Sequence, residues 1–291
     1  MAISGKTKLV GLLGWPVSHT FSPAMHNAAA HSAEIDLVYL GLPLAPSQVA
    51  EGISGLAALG FIGVNVTLPH KQAVMPYLDQ MSEAAQVIGA VNTIMIEREA
   101  SDGQVTTHLL GDNTDWTGFL GDLDALNVAL EGRDCLVLGA GGSARAVVYG
   151  LLKRGANVKL LARRLEQAEQ LVASFDPFIR ANKMTPPTTH LLSELAQLET
   201  SAPLIVNTTP LGMTPKVEMS PWPHDLPFPV GAFVYDLVYT PSNTKLMRQA
   251  QAAGCDASNG LGMLLRQGAT AFELWTGVAP DLDVMRVALG F

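Results

Sequence analysis

The sequence predicts an α/β fold of two domains, one of them built on a doubly wound parallel sheet. The chain has 291 residues, which exceeds the usual size of one domain. Strand and helix patterns alternate along most of it, as in layered α/β proteins. A glycine-rich turn at 139–144 follows a short apolar run and precedes a helical pattern, which is typical of a doubly wound sheet. We expect a first domain over 1–115, to which C-terminal helices within 255–291 return, and a second domain over 116–254.

Helix start and stop signals divide the first part of the chain. Ser22 and Pro23 are residue types that favour the N-cap and the first turn of a helix, so we predict Ser22 as an N-cap. Gly60 and Gly89 can close helices in the left-handed conformation. The predicted strands are 9–14, 38–42 and 63–67, and the predicted helices are 23–32, 46–59 and 82–88.

The alternation continues as the β-α-β series of a nucleotide-binding, or Rossmann, fold. Gly155 favours a helix end between two of its elements, and the proline-rich stretches 176–188 and 215–231 are predicted as loops. The predicted strands are 134–138, 158–162, 204–207 and 233–236. The predicted helices are 117–126, 144–153 and 165–174, followed by 261–276 and 280–289.

Composition and charge exclude several classes of protein. The net charge of −8 argues against nucleic acid and against an anionic membrane surface as partners. Residues 52–69 carry no charge but contain four glycines, so a helix followed by a strand suits them better than a membrane span. The histidines show no metal-ligand spacing, and we expect no metal.

Cysteine usage favours a reducing compartment. Cys135 and Cys255 form neither a C-x-x-C pair nor a disulfide framework, so we expect a cytoplasmic protein. The sequence allows either a monomer or a homodimer.

The turn Gly139-x-Gly141-Gly142-x-Ala144 lies between an apolar strand and a helix, which is the context that a dinucleotide site requires. Gly139 permits the tight turn, Gly141 lets a pyrophosphate approach the backbone, and Ala144 allows close helix–strand packing. The diphosphate would meet the helix N-terminus. The turn also contains Ala140, Gly142 and Ser143. The alternative is a plain glycine-rich turn that binds no nucleotide.

The end of the second Rossmann strand favours NADP over NAD. NAD enzymes usually place a carboxylate there for the ribose hydroxyls, whereas this chain has Ala162-Arg163-Arg164, with Glu166 already in the next helix. Guanidinium groups pair with phosphate oxygens and can stack on adenine. The alternative is two solvated surface arginines.

Polar residues gather near the predicted strand ends in the first domain. Lys71 follows a strand end and a proline turn, and Asn65 and Thr67 share one face because strand residues alternate. Asp115 ends a polar turn before the predicted domain change. Clefts between domains are favoured ligand sites, but spacing alone does not bring these residues together, and a lone lysine or aspartate is most often a solvated surface group.

Seven motifs in order make the chain resemble the shikimate dehydrogenase family. They cover 14–27, 65–71, 89–93, 111–118, 207–213, 236–239 and 260–267. The resemblance implies that Lys71 and Asp115 are the catalytic pair, with Lys71 as the acid and base.

The resemblance also implies ligand contacts. Thr20 and Ser22 would donate to a substrate carboxylate, with Tyr239 nearby. The residues implied to hold ring hydroxyls are Asn65, Thr67, Asn92, Asp115 and Gln267. The residues implied to contact the cofactor near its nicotinamide are Leu237, Gly260, Met263, Thr208 and Met213, and Glu83 is a weaker cofactor candidate.

The activity that the resemblance implies is reversible NADP-dependent reduction of 3-dehydroshikimate to shikimate, a step toward chorismate and the aromatic amino acids. The family usually has serine where this chain has Thr20, and the added methyl narrows the carboxylate pocket. Two alternatives stay open: a quinate/shikimate dehydrogenase of broad specificity, and a non-catalytic NADP- or metabolite-sensing protein. The two arginines argue against NAD-linked quinate-type relatives, and retention of Lys71 and Asp115 argues against a sensor.

Overall fold

A computed structural model describes residues 3–101 and 104–290, and it divides into two units. The first comprises Met1–Thr114 with Leu265–Phe291, and the second comprises Asp115–Leu264. The later boundary lies after Leu264, whereas the sequence suggested 254.

The first unit is built on a six-stranded mixed sheet. Its strands are β1 (Lys8–Gly14), β2 (Leu37–Pro43), β3 (Phe61–Val66), β4 (Gln80–Met81), β5 (Thr93–Ser101) and β6 (Gln104–Asp112), in the order β2-β1-β3-β5-β6-β4. β1 is parallel to its neighbours β2 and β3, whereas β5 is antiparallel to its neighbours β3 and β6. Val64, Val66 and Ile94 lie in the apolar core under this sheet.

Three helices follow the early strands: α1 (Ser22–Ser32), α2 (Val49–Ala58), preceded by a 3-10 turn at Pro46–Gln48, and α3 (Glu83–Ile88). Asn27 of α1 bonds both backbone groups of Tyr39 on the edge strand β2, at 2.8 and 3.0 Å, which joins helix to sheet. The prediction of Ser22 as an N-cap is wrong. Phe21 occupies the N-cap without a side-chain bond, and the Ser22 hydroxyl instead accepts from the Thr20 hydroxyl at 3.2 Å.

The antiparallel hairpin of β5 and β6 was not predicted. Its outer half is polar and exposed, including Glu97 and Glu99, so it shows little of the apolar signal that marks a buried strand. Arg98 anchors the hairpin by donating to the carbonyls of Phe61 and Ala57, at 2.8 and 2.6 Å.

The second unit is a doubly wound parallel sheet, as predicted. Its strands are β7 (Asp134–Leu138), β8 (Asn157–Ala162), β9 (Thr188–Leu191), β10 (Leu204–Asn207), β11 (Phe233–Asp236) and β12 (Asp256–Asn259), in the order β12-β11-β10-β7-β8-β9. The chain runs outward from β7 to β9 and then restarts at β10 on the other side. The carboxyl ends of β7 and β10 therefore flank a topological switch point, where such sheets bind ligands.

The helices of this unit are α4 (Asp115–Ala125), α5 (Gly142–Lys153), α6 (Leu165–Ser174), α7 (Asp176–Ala181) and α8 (Lys245–Ala252). The prediction of a loop over 176–188 is wrong for α7, because Pro177 lies in the first turn, where proline is compatible with a helix. The short strands β9 and β12 and the helix α8 were not predicted. Since β12 pairs with β11, residues 256–259 belong to this unit and not with the C-terminal helices.

The chain ends with α9 (Leu261–Thr276) and α10 (Leu282–Val287). The start of α9 belongs to the second unit, where a Cβ on Gly262 would lie 1.9 Å from Asp122 Oδ1. Its later part belongs to the first unit, where Trp275 donates to the Ile94 carbonyl at 3.1 Å. Within 3–101 and 104–290, no helix is long and apolar enough to cross a membrane.

His26 is a fully buried histidine in the first unit, and neither ring nitrogen has a hydrogen-bond partner. Its ring stacks on Tyr39 with centroids 4.3 Å apart and planes inclined by 6°. Burial lowers the pKa of His26 to about 3, so the folded protein keeps this ring neutral while the unfolded chain protonates it below its ordinary pKa of about 6.5.

We therefore expect acid to destabilise the protein through His26. The contribution is fully present above pH 6.5 and is lost as the pH falls toward 3, at up to about 1.4 kcal/mol per pH unit. Replacement by phenylalanine removes the titration and keeps a ring. Denaturant unfolding should show the wild type losing about 2 kcal/mol relative to His26→Phe between pH 7 and pH 5.

His31→Phe, at an exposed position on the same helix, is the matched control and should follow the wild-type pH dependence. Parallel pH curves for the wild type and His26→Phe would contradict the prediction.

Candidate functional site

A chain of hydrogen-bonded polar side chains crosses the first unit from β2 to α9. It includes three of the residues predicted to hold substrate, and all of its members are uncharged. The members are Tyr39, Asn65, Thr93, Asn92, Thr114 and Gln267. Thr20 and Ser22, near the start of α1, form a separate pair in which the Thr20 hydroxyl donates to Ser22 Oγ at 3.2 Å.

The backbone carbonyl of Asn92 determines the orientation of the Asn65 amide. A carbonyl can only accept, so the bond of 3.3 Å places Asn65 Nδ2 toward Asn92 and Oδ1 toward Tyr39. The Tyr39 hydroxyl therefore donates to Asn65 Oδ1, at 2.8 Å.

The backbone N–H of Thr114 orients the Asn92 amide in the same way. An N–H can only donate, so its bond of 2.7 Å identifies the facing atom as Asn92 Oδ1. Asn92 Nδ2 consequently donates to Thr114 Oγ1 at 3.0 Å and to Gln267 Oε1 at 3.4 Å. The polarity of the chain is thus set by two backbone groups, and it suits a small ligand rich in hydroxyl groups.

Thr67 and Lys71 lie in the turn that follows β3, and both are half-buried. Backbone bonds hold this turn: Thr67 N donates to the Leu13 carbonyl at 2.8 Å, and Val91 N donates to the Lys71 carbonyl at 2.8 Å. His70 is buried between them, with Nε2 at 2.7 Å from the Leu44 carbonyl. The turn therefore presents a lysine from a well-anchored backbone.

In the second unit, the glycine turn has the shape of a phosphate cradle. Gly139 has φ +113°, a conformation that L side chains rarely adopt, and a Cβ there would lie 2.6 Å from Thr208 Oγ1. Cβ atoms on Gly141 or Gly142 would meet nothing within 4 Å, so the turn is open where a ligand would approach. α5 begins at Gly142 with no side-chain cap, and its first N–H groups can bind an anion.

The rest of this turn and the end of β8 follow the sequence prediction. Ala144 is buried against the sheet, whereas Ala140 and Ser143 are half-buried. Ala162 is buried at the end of β8, and Arg163 and Arg164 follow it with exposed side chains. Two arginines thus follow the end of this strand directly, and Glu166 is the first carboxylate after them in the sequence.

Three fully buried polar residues join the loops after β10 and β11. Asp236 Oδ1 accepts from Asn207 Nδ2 at 2.8 Å, and Oδ2 accepts from the Thr244 hydroxyl at 2.7 Å. These loops carry Thr208 and Leu237, whose sequence motifs suggested cofactor contacts. Asp236 begins the family motif over 236–239, which implied no role for Asp236 itself, and no sequence signal marks Thr244.

The remaining predicted residues divide between the units. Asp115 is buried at the first position of α4 and lies in the second unit, whereas Lys71 lies in the first. Tyr239 is half-buried, and burial raises its pKa. In the second unit Met213 is exposed, and Gly260 and Met263 are buried. Glu83 is exposed at the start of α3 in the first unit.

Sequence reasoning missed Tyr39, Thr93 and Thr114 as members of the polar chain. Thr93 and Thr114 lie beside predicted residues and could have been included as their neighbours. Tyr39 carries no such signal, because it lies on β2 and meets Asn65 only through sheet formation. In the part of the chain that the structure describes, no group of three or more histidine, cysteine or acidic side chains could hold a metal ion.

Removal of the Tyr39 hydroxyl should destabilise the first unit. Tyr39→Phe leaves Asn65 Oδ1 without its donor in a buried position, which should cost about 1–3 kcal/mol of unfolding free energy in denaturant titrations. Tyr77→Phe is the control, because Tyr77 is 45% exposed. Equal stability of the two variants would show that the bond contributes nothing.

Comparisons with known proteins agree with this architecture. A family model described as the shikimate dehydrogenase substrate binding domain matches residues 12–94. A second model, the shikimate 5'-dehydrogenase C-terminal domain, matches residues 260–289. A shikimate dehydrogenase (NADP(+)) from Salinibacter ruber is 43% identical over 285 residues, which is 95% of this chain and 94% of that protein.

Solved structures are similar over almost the whole chain. Shikimate 5-dehydrogenase from Thermus thermophilus, in complex with NADP(H) and shikimate, has a TM-score of 0.83 and 36% identity, with 98% of this chain and 99% of that chain covered. Quinate dehydrogenase from Corynebacterium glutamicum, in complex with NAD, has a TM-score of 0.85 and 29% identity, with 97% and 98% covered.

The fold class and the family resemblance that the sequence predicted are both confirmed. Identity above 40% over nearly the full length of both proteins carries this conclusion. The chain belongs to the shikimate dehydrogenase family.

Proposed function

We propose that this protein catalyses the reversible NADP-dependent reduction of 3-dehydroshikimate to shikimate, a step toward chorismate and the aromatic amino acids. The observation that carries the proposal is its full-length likeness to a relative named for this activity. It is an oxidoreductase acting on a secondary alcohol. The first unit binds the substrate, and the second, which contains the Rossmann sheet, binds NADP.

The neutral hydrogen-bond chain of the first unit supports the substrate assignment. Asn65, Asn92 and Gln267 belong to the chain and can bond ring hydroxyls. Thr20 and Ser22 form a separate hydroxyl pair that can donate to a carboxylate. We assign Thr67 and Asp115 to ring hydroxyls as well, and Tyr239 to the neighbourhood of the carboxylate.

The second unit fits NADP. The open glycine turn, with Ala140 and Ser143 beside it, and the first N–H groups of α5 suit the diphosphate. Arg163 and Arg164, which follow Ala162, suit the 2′-phosphate. We assign the nicotinamide end to Thr208, Met213, Leu237, Gly260 and Met263, with Glu83 as a weaker cofactor contact.

Bound NADPH supplies the hydride, which forms the new C–H bond at the carbonyl carbon of 3-dehydroshikimate. Lys71 gives a proton to the carbonyl oxygen during reduction and takes it back during oxidation of the alcohol. Asp115 accepts a hydrogen bond from a neighbouring hydroxyl and orients the ring. Lys71 and Asp115 each also make at least one polar or electrostatic interaction with other residues of the chain.

Loss of the Lys71 amine should abolish turnover while ligands still bind. The assay follows absorbance of the reduced nicotinamide with shikimate and NADP, with NAD tested in parallel. Wild-type protein should reduce NADP, and Lys71→Ala should lower kcat by about 100-fold or more, the usual contribution of an acid or base. Lys6→Ala, at an exposed position in the first unit, is the control.

Unchanged turnover by Lys71→Ala would remove Lys71 from the chemistry. A wild type that binds both ligands but reduces no NADP would favour a sensing protein instead.

Replacement of both Arg163 and Arg164 by alanine should weaken NADP and leave NAD unaffected. Loss of charge-assisted bonds to the 2′-phosphate should raise the KM for NADP by about tenfold or more. Arg180→Ala removes an exposed arginine of the same unit and serves as the control. Equal changes in the KM values for NADP and NAD would show that the arginines do not read the 2′-phosphate.

A quinate/shikimate dehydrogenase of broad specificity is the second candidate. The likeness to a quinate dehydrogenase structure favours it, and the Thr20 methyl changes the shape of the carboxylate pocket. Relative activity on quinate separates the two.

The free, buried cysteines support a reducing cytoplasm as the compartment. We propose that the protein's partner is its small-molecule substrate and that the protein is a monomer or a homodimer.

A further inference from the structure

Three neighbouring strands of the second sheet end in the same way. β10, β11 and β12 end at Asn207, Asp236 and Asn259, and each side-chain oxygen accepts the backbone N–H two residues further on. Such bonds shape the turn that follows a strand. Asp236 is the central residue of the three and the one that carries charge.

The Asp236 carboxylate is completely buried and uses both oxygens. Oδ1 accepts from Asn207 Nδ2 at 2.8 Å and from Val238 N at 3.0 Å, while Oδ2 accepts from the Thr244 hydroxyl at 2.7 Å. These three donors are neutral. Burial raises the pKa of Asp236 to about 6, against the opposing effect of the three hydrogen bonds, so the group is ionised above neutral pH.

The three donors connect Asp236 to two loops. Asn207 Oδ1 accepts from Thr209 N at 2.9 Å, and Asn207 Nδ2 also donates to the Leu211 carbonyl at 3.2 Å, which shapes the turn after β10. Thr244 is the N-cap of α8, where it accepts from Met247 N at 3.3 Å. The loop after β10 and the loop from β11 to α8 are therefore joined at one carboxylate.

The same loops are in close contact with two glycine turns. If Gly139 carried a Cβ atom, that atom would lie 2.6 Å from Thr208 Oγ1. A Cβ atom added to Gly260 would lie 2.2 Å from the Leu237 carbonyl oxygen. Leu237 N also donates to the Asn207 carbonyl at 3.0 Å. These approaches leave no room for a further atom between the loops and the two glycines. A displacement of the Asp236 carboxylate must therefore also move Thr208 and Leu237 relative to Gly139 and Gly260.

We infer that Asp236 is a positioning residue for the nicotinamide end of NADP, acting through the turns that carry Thr208 and Leu237. This inference rests on the proposed function. The adenosine end is held elsewhere in the unit, by Arg163 and Arg164, so Asp236 should affect the two ends of the cofactor differently.

The chemistry of the three donors explains why an acceptor is needed at this position. An amide at this position would direct an NH₂ group at one of them, and among the three only the Thr244 hydroxyl can also accept. Asp236→Asn should therefore preserve most of the arrangement, whereas Asp236→Ala leaves three buried donors without an acceptor. The two substitutions form a graded series at one site.

The test compares two ligands by calorimetry: NADP, and adenosine 2′,5′-bisphosphate, which has the 2′-phosphate but no nicotinamide. Asp236→Ala should bind NADP about tenfold more weakly than the wild type, while its affinity for the bisphosphate should stay within about twofold. Asp236→Asn should recover most of the NADP affinity.

Leu204→Ala is the matched control for stability. Leu204 is fully buried at the opposite end of β10 from Asn207, so its truncation should lower the unfolding temperature and leave both affinities unchanged. If Asp236→Ala does not fold, Thr244→Val removes one donor and should weaken NADP selectively by about threefold.

Parallel loss of both ligands in the Asp236 or Thr244 variants would indicate general loosening and would overturn the inference. Unchanged NADP affinity would also overturn it. The proposed function fails separately, in the wild type, if that protein binds no NADP.

Discussion

The carbonyl of Asn92 can only accept a hydrogen bond, and the polar site of the first unit depends on this restriction. It turns the Asn65 amide so that Oδ1 faces Tyr39, which makes the phenol the donor in the bond between the two side chains. The carbonyl is itself held by Val66 N at 2.7 Å, so its direction is part of the pairing of β3 with β5. Sheet formation therefore decides the polarity of side chains several residues away.

In the second unit, side chains also bond backbone groups, here at the carboxyl ends of parallel strands. Each strand end leaves backbone groups that the next strand cannot satisfy, and Asn207, Asp236 and Asn259 bond the chain two residues on. Asn207 and Asp236 also bond each other, and Asn259 Nδ2 donates to the Ser242 carbonyl at 2.8 Å in the loop that follows β11. Neutral donors surround the Asp236 carboxylate, so it is held by hydrogen bonds to these loops.

Local signals account for what the sequence predicted well. A positive φ requires a glycine at 139, and Asn65 is a polar residue on the buried strand β3, so both features appear in short stretches of sequence. The roles of Tyr39 and Asp236 could not be found in this way, because they depend on Asn65 and Asn207, which lie 26 and 29 positions away in the chain. The polar hairpin of β5 and β6 and the proline-started α7 were missed for another reason: surface polarity and proline resemble loop signals. The catalytic pairing of Lys71 with Asp115 came from family resemblance alone.

The bond between Thr20 and Ser22 has an energetic consequence for the proposed carboxylate contact. The Thr20 hydroxyl donates to Ser22 Oγ at 3.2 Å, and the Ser22 backbone N–H donates to Thr20 Oγ1 at 3.2 Å. A substrate carboxylate would draw the protons of both hydroxyls toward itself. The neutral bond between the hydroxyls is then replaced by charge-assisted hydrogen bonds, which are roughly twice as strong. Thr20 Oγ1 keeps its backbone donor in this exchange, so both hydroxyls can turn toward an anion while the backbone bond between the two residues is unaffected.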